Sequence, residues 1–177
     1  MADSETVFET NSETTSKNTT DEKLSAVNGT KSQHQNQADI RRLAMDLLAR
    51  REHSRLELAR KLHKRFHQYE TIEIVLDLLA QDQLLSDKRF TEAYINYRRR
   101  AGFGPVKIAS ELRERGINDA LADKFLYQNS EDWRVTAATA MQKKFGANTA
   151  IDSKQRLRQY RFMLHRGFRR HDFEDIL

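Results

Sequence analysis

The sequence predicts an all-α fold: three tandem three-helix repeats forming an elongated, curved body, preceded by a disordered N-terminal tail. Three observations carry this reading. Apolar residues recur at helical spacing from Ile40 onward, no segment alternates as a strand would, and helix-start signals return at intervals near fifty residues.

The tail comes first. Of residues 1 to 38, 19 are Ser, Thr, Asn or Gln, and Val7, Phe8, Leu24 and Val27 are nearly the only large apolar side chains. Such a segment buries too little surface to offset the entropy of ordering, so residues 1–38 are expected to be disordered. The tail lacks the basic start and apolar core of a signal peptide, and no run in the chain reaches membrane-spanning length. The absence of cysteine excludes disulfides, thiolate metal sites and cysteine nucleophiles. A cytoplasmic location is the simplest expectation.

The first repeat, residues 39–85, opens on Ile40, Leu43, Ala44, Leu47 and Leu48, which share one helical face. Its second helix starts at Ser54, where Ser54 and Glu57 form the S-x-x-E capping box, and ends near Lys64-Arg65-Phe66. Its third carries Ile72, Val75, Leu76 and Leu79. The second repeat, 86–129, opens on Phe90, Ala93, Tyr94 and Tyr97. Gly104 before Pro105 starts its second helix, because proline suits the first helical position, and Leu121 and Phe125 mark the third. The third repeat, 130–177, has Asp152 with Gln155 as its internal start and a last short helix carrying Phe173 and Ile176. The stretch KKFGANTAID lengthens its first connection. The three starts lie 50 and 48 residues apart, and Ile40 and Phe90 each lie 14 residues before the following cap. Gly116 and Gly167 can take the left-handed conformation that ends a second helix.

Charge follows the repeat. The tail carries six acids against three lysines, leaving residues 39 to 177 with 28 basic and 20 acidic side chains, net +8. First helices end in Arg50-Arg51, Arg98-Arg99-Arg100 and Lys143-Lys144. Second helices end with Lys61, Lys64 and Arg65, with Arg113 and Arg115, and with Arg166, Arg169 and Arg170. Cations at one phase of a repeated unit would align into a stripe for a long anionic partner. Cations at helix C-termini also offset the macrodipole, but adjacent residues on a helix point about 100° apart, so three consecutive arginines cannot all serve one terminus. Phe103 could stack on a base. Its place before the Gly104 cap favours a hydrophobic staple with Ile108 instead.

Catalytic patterns are missing. His63 and His67 lie four apart, but HKRFH lacks the glutamate of HExxH and has no third ligand. Ser54 and Ser86 read as caps, and GFGP lacks the lysine and spacing of a P-loop. Neither an enzyme, a metal site nor a cofactor is expected.

One stretch resembles a known family. LLSDKRFTEAYINYRRRAGFGPVKIASELRERGI, Leu84 to Ile117, closely resembles the central signature of RecX regulatory proteins, which modulate the RecA recombinase. The matching positions are Asp87, Arg89, Phe90, Gly104, Pro105, Glu111, Leu112, Gly116 and Ile117. Flanking matches are LLARREHSRLELARKL, Leu47 to Leu62, and QYRFMLHRGF, Gln159 to Phe168, which includes Gly167. Ser86 departs from the usual acidic pair while keeping a helix cap, and the tail has no counterpart in the shared pattern. The resemblance implies a helical modulator that binds in the groove of RecA filaments on single-stranded DNA and mainly inhibits ATP hydrolysis, strand exchange and coprotease activity. The implied partners are the filament, its single-stranded DNA, and DNA directly, with the protein acting as a monomer. On that view the contacts come from Arg98, Arg99 and Arg100, with Lys107, Arg113, Arg115, Arg50, Arg51, Lys143 and Lys144. Two other readings remain: a DNA-binding regulator that uses a helix pair without RecA, and a scaffold for an acidic protein.

Overall fold

The computed structural model describes residues 36–127, 133–146 and 152–177, and every regular element among them is helical. Helix α1 covers 36–48, so it begins before the expected boundary at residue 39. The rest of the expected tail, and the 147–151 connection, lie outside the described residues. There follow α2 (Arg55–His63), α3 (Tyr69–Gln81), α4 (Asp87–Arg100), α5 (Pro105–Glu114), α6 (Asp119–Tyr127), α7 (Trp133–Phe145) and α8 (Ser153–Arg166).

The expected last helix is instead two 3-10 turns, Arg170–Asp172 and Glu174–Ile176. Phe173 separates them with extended φ of −146° and is buried, its ring meeting Tyr160 edge-on at 5.4 Å. Seating that ring in the core takes precedence over one continuous short helix. The Asp172 carboxylate accepts the Arg169 amide at 2.7 Å and holds the turn's entry.

Residues Ile40–Leu177 form one compact unit; of the preceding unit, Met1–Asp39, only the last four residues are described. Two apolar clusters lie within the larger unit. One gathers Ile40, Ala44, Leu58, Leu62, Ile72, Leu76, Leu79 and Leu85 from α1–α3 and the turn after them. The other runs from Phe90 and Ile95 through Ile108, Leu112 and Ile117 to Trp133, Met163, Phe168 and Phe173. It draws from both the 86–129 and the 130–177 spans. The Trp133 indole also donates to the Leu126 carbonyl at 3.0 Å, tying α7 to the end of α6.

Helix starts follow the sequence closely, with one correction. Ser54 accepts the Glu57 amide at 3.1 Å, Ser86 accepts that of Arg89 at 3.3 Å, and Asp152 accepts that of Gln155 at 2.7 Å. The Glu57 carboxylate does not close the expected box, because Arg51 takes it at 2.5 Å and Lys61 approaches to 3.8 Å. A charge-assisted pair outcompetes a neutral amide for the carboxylate.

The second helices α2, α5 and α8 meet end to end. At one seam Ser54 Oγ donates to the Arg115 carbonyl at 2.7 Å, and Arg60 reaches the Glu114 carbonyl at 3.1 Å. At the next, the Gly104 and Val106 amides donate to the carbonyls of Arg166 and Gly167 at 2.8 and 3.0 Å. Each seam sets the positive start of one helix on the negative end of another and satisfies groups that would otherwise be orphaned. Such close approach needs glycine. A Cβ on Gly104 would lie 2.5 Å from the Phe168 amide nitrogen, and one on Gly116 would lie 2.8 Å from Leu56 Cβ. Gly116 and Gly167 also hold φ of +80° and +84°, the left-handed helix stop that the sequence suggests.

Candidate polyanion-binding surface

Arg98, Arg99 and Arg100 close α4, and the 100° step between them sends them to three environments. Arg98 turns inward. Its guanidinium binds both oxygens of Glu111, each side chain being only 17% exposed. The Tyr94 hydroxyl donates to the same carboxylate at 2.9 Å. Burial, and then that hydrogen bond, push the Tyr94 phenol up to about 12. Arg98 is therefore a structural ion at the α4–α5 joint. Arg99 is half-buried with partners of its own, while Arg100 is exposed.

Phe103 extends this arrangement. It packs against the core cluster that includes Ile108, in keeping with a staple, but its ring also carries Arg98 at 3.6 Å, Arg166 at 4.7 Å and Lys107 at 5.4 Å. Arg166 further donates to the Ala101 carbonyl at 3.1 Å and lies 5.1 Å from the Phe162 ring. With two guanidinium groups and an ammonium already gathered on the ring, it is engaged within the fold rather than free as a base platform. Nothing in the spacing of Phe103 and Arg166, 63 positions apart, foretells their contact.

The remaining predicted cations divide similarly. Arg51 pairs with Glu57, which raises the arginine and holds the carboxyl below its usual range. Arg113 pairs with Asp119 at 2.9 Å on the open surface. Arg115 donates to the Glu111 carbonyl at 2.7 Å and lies 4.6 Å from the Tyr94 ring. Arg50, Arg100, Lys143 and Lys144 are exposed. Of the predicted cations, the structure gathers Arg99, Arg100 and Lys143 around one cleft of about 340 Å³.

The signature residues form joints. Asp87 accepts the first amide of α2, that of Arg55, at 2.8 Å, and Arg89 binds Glu52 at 2.7 Å. Phe90, Leu112, Ile117 and Phe168 fill the second core, Pro105 is buried at the start of α5, and Gly104, Gly116 and Gly167 form the end-to-end seams. A residue missed in the sequence, His53, is also buried here. Its Nδ1 lies 3.0 Å from the Arg51 carbonyl and its Nε2 lies 2.8 Å from Lys61 Nζ, so the neutral ring donates at one nitrogen and accepts at the other. Among the described residues no three His, Cys, Asp or Glu side chains are placed to hold a metal ion, and no helix is long and apolar enough to cross a membrane.

These features define a class: an all-helical protein of end-joined helix triplets with cations turned outward along its surface. A family model described as the second three-helix domain of RecX matches residues 86–126, the span of α4–α6. The regulatory protein RecX of Pseudomonas syringae pv. tomato is 43% identical over 129 residues, covering 73% of this chain and 83% of that protein. The RecX of Pseudomonas entomophila is 45% identical over the same shares. Two RecX crystal structures share the fold. One has a TM-score of 0.69 at 22% identity, covering 86% of this chain and 75% of that one. The other, from Lactobacillus salivarius, has a TM-score of 0.65 at 19% identity, covering 81% and 95%. The chain belongs to the RecX family of regulatory proteins.

Proposed function

We propose that this protein binds in the helical groove of RecA nucleoprotein filaments and acts mainly as an inhibitor of ATP hydrolysis, strand exchange and coprotease activity. Membership of a family named for regulation is the observation that carries this reading. The outward cations Arg50, Arg100, Lys143 and Lys144 support it as the contacting set, because a polyanionic filament rewards unpaired surface charge. Arg98, Arg51 and Arg115 serve by fixing the helices that present those cations. In this proposal the spans 39–85, 86–129 and 130–177 act as successive units that bridge neighbouring recombinase subunits.

The test is ATP hydrolysis by the cognate RecA on single-stranded DNA, with this protein added below stoichiometry to preformed filaments. Inhibition well beyond one-to-one titration is expected, since one bound molecule affects many subunits. No effect from folded protein would sink the direct filament mechanism.

A further inference from the structure

Three surface cavities differ in the charge of their walls. In one, Arg156 and Arg170 are balanced by Asp152 and Glu174; in another, Arg51 and Arg115 are balanced by Glu52 and Glu57. A phosphate approaching either meets repulsion as well as attraction. The third, about 340 Å³ between the end of α4 and the face of α7, has Arg99, Arg100 and Lys143 in its walls and no carboxylate.

Arg100 and Lys143 are exposed and carry no ion pair among the described residues. Each lies in the last turn of its helix, where it offsets that helix's dipole. Dipole compensation does not require two helices to aim their cations at one cleft. Thr136 adds a hydroxyl to the wall, whereas the Thr139 hydroxyl is committed to the Val135 carbonyl at 2.8 Å.

We propose that this cleft seats a backbone phosphate of single-stranded DNA, held between Arg100 and Lys143. Cations on opposite walls suit a tetrahedral phosphodiester, whose two free oxygens diverge. A planar carboxylate is met best by one guanidinium fork. The inference rests on the reading that outward cations meet the filament, and it assigns this pair to the DNA strand rather than to the recombinase.

The test is fluorescence anisotropy of a labelled oligo-dT with the full chain and no recombinase, across a salt series. The double variant Arg100→Gln, Lys143→Gln is expected to bind about tenfold more weakly at low salt. Its slope of log affinity against log salt should fall by about 0.7, the signature of one lost single-strand phosphate contact. The comparison is Arg156→Gln, Arg170→Gln, which removes the same charge from a balanced cavity and is expected to leave the slope in place. Equal losses in both double variants, or failure of the wild-type chain to bind the oligonucleotide, would overturn the proposal. Retained oligonucleotide binding with lost inhibition of RecA would instead assign the cleft to an acidic protein surface. If oligonucleotide binding follows the proposal while the wild-type chain leaves RecA hydrolysis unchanged, the functional reading fails and the site stands.

Discussion

Gly104 gives the sharpest test of the end-to-end seams, because its φ of −89° is one that alanine adopts freely. Any cost of Gly104→Ala therefore comes from space and capping rather than from backbone strain. The added Cβ would lie 2.5 Å from the carbonyl carbon of Gly167 and from the amide nitrogen of Phe168. Both are backbone atoms and cannot rotate away. Relief requires α5 and α8 to separate, which lengthens the bonds from Gly104 and Val106 to the Arg166 and Gly167 carbonyls. Overpacking costs about 1 to 3 kcal/mol, and each weakened hydrogen bond adds about 0.5 to 1.5 kcal/mol. A loss of roughly 2 to 6 kcal/mol follows, a fall in Tm of roughly 5 to 20 °C for a unit of this size. Urea unfolding followed by far-ultraviolet dichroism and by the single tryptophan, Trp133, reads both helix content and the second core. Gly146→Ala is the control. Gly146 has φ of +75° but nothing within 4 Å of an added Cβ, so it should lose only about 1 kcal/mol from the left-handed backbone. A Gly104→Ala variant within about 0.5 kcal/mol of wild type, or one no worse than Gly146→Ala, would refute the seam.

Two further predictions concern titration. The Tyr94 phenol, raised to about 12 by burial and by its bond to Glu111, contributes stability that is complete below the unfolded value near 10 and lost as pH rises towards 12. Tyr94→Phe should flatten that alkaline loss, and Glu111→Gln should bring the phenolate absorbance step to lower pH while costing about 2 kcal/mol at neutral pH. Burial pushes the His53 imidazole down against the opposing hydrogen bond to the Arg51 carbonyl, and the positive charges of Arg51 and Lys61 add to the lowering. Its stabilising contribution is therefore present above the unfolded value near 6.5 and lost as pH falls through the lower folded value, which an imidazole NMR titration alongside acid unfolding will show.

Much of the fold was legible because local chemistry and packing agree. The caps at Ser54, Ser86, Gly104 and Asp152, the stop at Gly167 and the stripe from Ile72 to Leu79 all satisfy nearby requirements. Helix α7 was less legible. It buries Trp133, Ala137, Ala140 and Met141, and small alanines leave a faint apolar stripe although their positions keep helical spacing. The candidate site was legible in composition and misleading in detail. Three adjacent arginines announce a basic surface, but long-range partners decide which of them turn inward: Glu111 and Phe103 hold Arg98, while Arg100 stays exposed. The glycines show the same division. A left-handed stop at Gly116 and Gly167 is a local property, while the second reason for them, contact with Leu56 and with Lys107, exists only across a seam.

That seam chemistry also bears on whether two copies can join end to end. A further copy joined by the same rule would set the start of its α8 on the end of α2. Neither end accepts this. The position that holds Gly116 and Gly167 in the later helices is occupied after α2 by Lys64-Arg65-Phe66, with Lys64 in an ordinary right-handed conformation, so a Cβ stands where close approach would be needed. At the other end Asp152 sets a carboxylate where Ser54 offers a hydroxyl and Gly104 has no side chain at all. An ionised carboxylate only accepts hydrogen bonds, so against helix-terminal carbonyls it repels instead of pairing. The chain should therefore sediment at its own mass of 20.8 kDa up to about 100 µM. Concentration-dependent association that disappears in an Asp152→Lys variant would show that the two ends do join and that glycine and a donor are not what the seam requires.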